Sequence, residues 1–218
     1  MARPASDSID DFFKAFPVLV GRAATPTERS AFDRYANLLL HWNRTHHLTA
    51  LRTRGAIARG LFLDSLLWRA LLPRPPLKAL DIGAGAGIPG IPLRLVEPAL
   101  SLTLMESRRK PASFLRALLR ELDLRDVAIL QGRAEAIILE DIEISGIFDA
   151  VLTRSVGLNT KLIEAAVGYL RPGGSLIASG PPQGTRTRPL GWSGAEWRTI
   201  EYPLLGLTRR FLVVTKEN

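Results

Sequence analysis

Residues 77–92, Leu-Lys-Ala-Leu-Asp-Ile-Gly-Ala-Gly-Ala-Gly-Ile-Pro-Gly-Ile-Pro, set an apolar run directly against a glycine-rich loop. Leu77 to Ile82 has the length and bulk of a buried strand, and Pro89 suits the first turn of a helix. A strand, a tight loop and a helix in that order begin a βαβ unit, which commits the chain to a parallel sheet. Glycines at 83, 85 and 87 let the backbone turn sharply and approach a ligand, and the helix start offers N–H groups without partners. In an open parallel sheet such a loop lies at the carboxyl edge, where ligands bind.

The rest of the chain agrees with that start. Strands are predicted at Leu77 to Ile82, Ser101 to Glu106, Val127 to Gln131, Phe148 to Thr153 and Gly174 to Ser179, with helical patterns around 89–97, 109–122, 134–141 and 158–170. Alternation of this kind implies a doubly wound α/β sheet. Trp197 to Pro203 and Arg209 to Thr215 follow without a long helix between them, so they should close the sheet as an antiparallel pair. Residues 1–73 read as all helical. Thr25 can cap, Pro26 fits the first helical position and Glu28 completes a capping box, with Phe32, Tyr35, Ala36, Leu39 and Trp42 on one buried face. A second helix is predicted from Ala56 to Leu72, and Pro73-Arg74-Pro75-Pro76 is the most obvious hinge. The expected plan is an N-terminal helical extension over 1–73 and a Rossmann-like domain over 74–218, its sheet seven-stranded and mostly parallel.

Composition narrows the partners. The formal charge of +8 rests on 24 Arg and 5 Lys, a balance that favours polyanions such as RNA, although genomic base composition also enriches Arg. There is no cysteine, which excludes disulfides, thiolate zinc sites and cysteine nucleophiles. Asp10 and Asp11 precede the first apolar stretch and Lys14 interrupts it, unlike a signal peptide, and no run is long enough to span a membrane. A cytoplasmic monomer is expected.

Two ligands compete for the glycine loop. Gly85-Ala86-Gly87-Ile88-Pro89-Gly90 has the spacing of a dinucleotide fingerprint, but it starts two residues beyond the strand, and counting from Gly83 puts Ile88 where the third glycine belongs. Asp81-Ile82-Gly83-Ala84-Gly85-Ala86-Gly87 instead resembles the first motif of S-adenosylmethionine-dependent methyltransferases of class I fold. Glu106 ends the second strand, where a carboxylate can accept both ribose hydroxyls of an adenosine. Gln131 to Glu135 follow the third strand, where proteins of that fold meet adenine.

Several stretches resemble one family more closely. Trp42-Asn43, Leu48-Thr49-Ala50 with Arg52, Leu63-Asp64-Ser65-Leu66, Gly87-Ile88-Pro89-Gly90-Ile91-Pro92, Lys110 with Phe114-Leu115-Arg116, Gly132-Arg133-Ala134-Glu135 and Thr153-Arg154-Ser155 together resemble the glucose-inhibited division protein B family. Its members are bacterial methyltransferases acting on N7 of a guanine in small-subunit (16S) ribosomal RNA. The resemblance implies S-adenosylmethionine as cofactor, S-adenosylhomocysteine as product, no metal, and ribosomal RNA or the 30S subunit as partner. It implies a cofactor site of Asp81, Gly83, Gly85, Gly87, Ile88, Glu106, Ala134, Glu135 and Arg154, the last acting in positioning with no general base. RNA contacts are expected from Asn43, Arg52, Arg109 and Arg210, with Arg54, Arg186 and Arg188 adding phosphate contacts.

The chain also departs from the family. Gly60-Leu61 replaces Arg-His, Ser179-Gly180 replaces Lys-Gly, and Arg209 replaces Glu, changes expected on the substrate side. They keep open two other readings, a non-catalytic RNA-binding or ribosome-assembly factor and a methyltransferase of another substrate. The only histidines, His41, His46 and His47, lack acidic neighbours at ligand spacing and are expected at solvent or RNA. Trp42 and Trp68 lie on apolar helix faces and are expected in the core.

Overall fold

The computed structural model describes residues 8–73, 77–140, 142–154, 159–179 and 194–217. Arg74, Pro75 and Pro76 of the expected hinge, and Ser155, Gly180, Arg186 and Arg188, lie outside the described residues.

The apolar runs form strands where their pattern predicts them. These are β1 (Leu77–Ile82), β2 (Leu100–Met105), β3 (Ala128–Leu130), β4 (Phe148–Thr153) and β5 (Leu170–Ser179). β6 (Ala195–Tyr202) and β7 (Leu207–Thr215) complete a seven-stranded sheet of order β3-β2-β1-β4-β5-β7-β6. β1 to β5 run parallel, and β7 is antiparallel to both β5 and β6. β4 is buried at every position because helices cover both faces of the sheet there, which is why its sequence shows no alternation. Strand order reverses at β1, the switch point at which an open sheet leaves a crevice.

Helices sort onto the two faces. α5 (Gly90–Val96) and α6 (Arg109–Glu121) pack with Ala79, Leu102, Leu152 and Phe211, whereas α7 (Ala134–Glu140) and α8 (Thr160–Tyr169) pack with Leu80, Val151, Leu176 and Leu212. The N-terminal helices join the first of these cores. α1 (Asp10–Val20) contributes Phe12, Phe13 and Phe16, which meet Phe32 of α2 (Pro26–His46) at ring distances of 4.8, 6.4 and 6.1 Å. Thr25 and Glu28 form the expected capping box at the start of α2. Trp68 is buried edge-on against Phe211 at 5.0 Å, and Trp42 stands 5.7 Å from Phe114. The helical extension therefore shares one apolar core with the sheet.

The second predicted helix is a composite. It starts at α3 (Arg54–Ile57) with Thr53 as cap, widens into a π turn at Ala58–Leu63, returns to α4 (Asp64–Leu66) and ends as a 3-10 turn at Leu67–Leu71. The wide turn brings the Gly60 carbonyl to 3.2 Å from Arg154 Nη2, a tie between the extension and the end of β4. Turns of this kind recur where a helix serves a site.

Candidate functional site

The glycine loop is fixed from beneath before any ligand is considered. Asp81 is fully buried at the end of β1, and its Oδ2 accepts the Gly90 N–H at 2.8 Å, tethering the start of α5. A Cβ on Gly90 would stand 2.8 Å from that oxygen, so only glycine fits. Among the described residues Asp81 Oδ1 is buried without a partner. Burial pushes the Asp81 carboxyl up to about 7, with the Gly90 N–H and Arg154 opposing the rise and Glu106 adding to it. Asp81, an expected cofactor contact, lies under the loop and lines neither of the two cavities beside it.

A second support comes from the N-terminal extension. Tyr35 of α2 is fully buried, and its hydroxyl donates to the Ala86 carbonyl. Burial holds this phenol well above its ordinary pKa, so it stays a donor. The apolar spacing of α2 identifies Tyr35 as core, but nothing in that spacing shows where its hydroxyl ends. Tyr35→Phe should cost about 1–3 kcal/mol, since the carbonyl loses its buried donor, and weaken loop-dependent ligand binding several-fold. Urea unfolding and ligand titration of the same variant check both; an unchanged unfolding midpoint would show the bond to be idle.

Above the loop lies a cavity of about 730 Å³, walled by Gly83, Ala84, Gly85, Ala86 and Ile88, by Glu106, Ser107 and Arg108, by Leu48, Thr49, Leu51, Gly60 and Leu61, and by Arg154. A smaller one of about 190 Å³ shares Gly83 and Ser107 with it and is lined by Gly132, Arg133, Ala134, Glu135 and Asn159 among others. Gly83, Gly85, Ile88, Glu106 and Arg154 thus line the larger cavity, and Ala134 and Glu135 the smaller one beside it. Gly87 is not on the cavity wall; it sits beneath the loop against Tyr35. Glu106 is buried, with Oε2 accepting the Gly85 N–H at 3.0 Å and Oε1 accepting the Arg108 N–H at 2.9 Å. Its carboxylate aligns the loop as well as facing the cavity.

Arg154 is held on two sides. Its Nε lies 3.2 Å from Asp64 Oδ2 and its Nη2 donates to the Gly60 carbonyl. Asp64, which the sequence shows only within Leu63-Asp64-Ser65-Leu66, is therefore a member of the site.

The expected RNA contacts divide. Arg109 starts α6 beside Arg108, two cations at the end of a helix dipole that favours anions. Arg52 is exposed, donates to the Thr49 carbonyl at 2.8 Å, and lines a groove with Leu40, Asn43, Arg44 and His47. Asn43 itself is spent internally: its Nδ2 donates to the Leu51 carbonyl at 3.1 Å and its Oδ1 accepts the Thr49 N–H at 3.0 Å. It braces the segment that walls the cavity. Arg210 lies over the Trp197 ring at 4.4 Å, on the sheet face away from Asp64, and Arg54 pairs with Asp33.

Comparison with known proteins agrees with this geometry. The model of the GidB family, rRNA small subunit methyltransferase G, matches residues 28–180. A Xanthomonas oryzae pv. oryzae protein named ribosomal RNA small subunit methyltransferase G is 36% identical over 186 residues, 84% of each chain. A protein of the same name from Streptococcus equi subsp. zooepidemicus is 39% identical over 160 residues, 72% of this chain and 67% of its own. Among solved structures, an Agrobacterium tumefaciens protein described as a predicted O-methyltransferase shares the fold at TM-score 0.53 and 21% identity, covering 70% of this chain and 80% of its own. A Corynebacterium glutamicum protein does so at TM-score 0.56 and 17% identity, covering 97% and 98%.

Proposed function

The chain belongs to the GidB family of ribosomal RNA small subunit methyltransferases, and from that premise we propose that it methylates N7 of a guanine in small-subunit ribosomal RNA with S-adenosylmethionine as donor. The observation that carries the reading is the cavity at the switch point, where the glycine loop, Glu106 and Arg154 meet. Its residues fit the cofactor: a buried carboxylate for ribose hydroxyls, glycine backbone without side chains along the cavity wall, and Ala134 and Glu135 around a side cavity suited to adenine. The bound sulfonium supplies an already activated methyl group.

The protein's own work is then orientation. Guanine N7 carries an in-plane lone pair and no proton, so no side chain has to act as base. Holding the base rigidly in line is worth up to about 7–11 kcal/mol in favourable cases. Arg154, fixed by Asp64 and Gly60, suits the anchoring of an anion at the cavity rim; placed over the base it would oppose the positive charge that the ring gains. Arg52 and Arg109 supply phosphate contacts. No helix among the described residues is long and apolar enough to cross a membrane; a ribosomal RNA substrate supports action in the cytoplasm.

Incubation with methyl-labelled S-adenosylmethionine and unmethylated small-subunit RNA should put label on one guanine, recovered as N7-methylguanine. Cofactor binding without label on RNA would reject the proposal, and label on a protein or small molecule alone would move the activity to another substrate.

A further inference from the structure

Alternate residues of β7 face opposite sides of the sheet. Phe211 and Val213 join the core under the N-terminal helices, and Leu212 and Val214 join the other. Arg209 falls in the first set and Arg210 in the second, in keeping with the contact of Arg209 to Asp64 and of Arg210 to Trp197. Because Phe211 is level with Ser179, the last residue of β5, Arg209 stands just past the carboxyl end of β5. That is the edge on which the cavity opens.

Asp64 lies between two guanidiniums there. Its Oδ2 is 3.2 Å from Arg154 Nε, and its Oδ1 accepts from Arg209 Nε. Its side chain is 10% exposed, that of Arg154 20% and that of Arg209 50%. One carboxylate shared by two arginines leaves a net positive charge at the rim. Among the described residues Arg209 bonds only through Nε, so its two terminal nitrogens remain for a ligand. A guanidinium with Nε locked presents a pre-set fork that matches the oxygens of a phosphate.

We propose that Arg209 and Arg154, held on either side of Asp64, form a cradle for a backbone phosphate of the RNA strand that carries the methylated base. The proposal rests on the RNA reading above. The cofactor's carboxylate is the weaker candidate, because Arg209 is not part of the cavity wall and half of its side chain faces solvent. Asp64 is a positioning residue, acting through the two arginines.

The test is equilibrium binding of an unmethylated small-subunit RNA fragment from about 50 to about 300 mM salt, with S-adenosylmethionine binding measured in parallel. Arg209→Gln should weaken RNA binding about 5- to 30-fold at low salt, lower the slope of log K against log salt by about 0.7–0.9, and leave the cofactor Kd within about twofold. Arg209→Lys should keep the slope but lose part of the affinity, as it has the charge without the fork. Asp64→Asn should tighten RNA binding by releasing the second charge, yet lower kcat about tenfold with KM for the cofactor little changed. An unaltered salt slope in Arg209→Gln overturns the cradle, as does a loss confined to cofactor binding, which would hand the site to the methionine carboxylate. The slope judges the cradle even if the wild-type protein binds RNA without methylating it, an outcome that would reject the methyltransferase reading alone.

Discussion

Gly87→Ala is expected to lower the unfolding free energy by about 2–4 kcal/mol and to weaken S-adenosylmethionine binding at least tenfold. Gly87 has φ +84°, where an L side chain is strained, and an added Cβ would stand 2.8 Å from the Tyr35 hydroxyl oxygen and 2.9 Å from Ile91 Cγ1. Neither neighbour can yield easily. The Tyr35 ring is wedged 4.8 Å from that of Phe62, and its hydroxyl is the donor to Ala86. Gly85→Ala is the control: its φ is +56°, but the nearest atom to the new Cβ is the Gly83 oxygen at 3.6 Å, so only backbone strain of about 1 kcal/mol is expected. Urea unfolding of the two variants side by side reads the difference, and equal losses would show that Tyr35 and Ile91 give way to the added methyl group.

The second large effect is a pH dependence centred on Asp81. Its folded-state pKa, about 7, lies above the ordinary value of 3.8 because burial penalises the anion. Between those limits the folded protein holds a proton that the unfolded chain has released, so stability falls as pH rises from about 4 to about 7 and levels off beyond. The loss from this one group reaches about 4 kcal/mol at most. Asp81→Asn keeps an acceptor for the Gly90 N–H without an ionisable group, so that variant should lack this slope and gain on the wild type as pH rises. Urea titrations at several pH values give the comparison; parallel curves for the two proteins would mean that Asp81 stays ionised when folded.

Much of this was legible in the sequence for a simple reason. Strands buried on both faces are short and apolar, glycines that must turn are irreplaceable, and the motif Asp-x-Gly-x-Gly-x-Gly reports both at once. Other features depended on which way a side chain faces after folding. Arg209 and Arg210 are adjacent and chemically alike, but the two-residue period of β7 sends one to Asp64 and the other to Trp197. Asn43 is an expected RNA contact on the family resemblance, and folding also engages both ends of its amide in closing the turn that follows α2. The period of α2 correctly placed Tyr35 inside without revealing its partner 51 positions away. Nor does 3.6-residue spacing announce the π turn at Ala58–Leu63, since one added residue in a turn leaves an apolar segment looking apolar.

The bond from Tyr35 to Ala86 makes α2 a rigid rod between two sites. The helix has 21 residues, about 30 Å in length, and near its far end Asn43 and Arg44 line the groove beside Arg52. A ligand in that groove and one on the glycine loop therefore lean on the same beam. If RNA displaces α2 by an amount that costs more or less once the cofactor is on the loop, the affinity for S-adenosylmethionine changes by some factor, and the cofactor must alter the affinity for RNA by that same factor. Any coupling between the two substrates is then carried by a helix that lies outside the sheet.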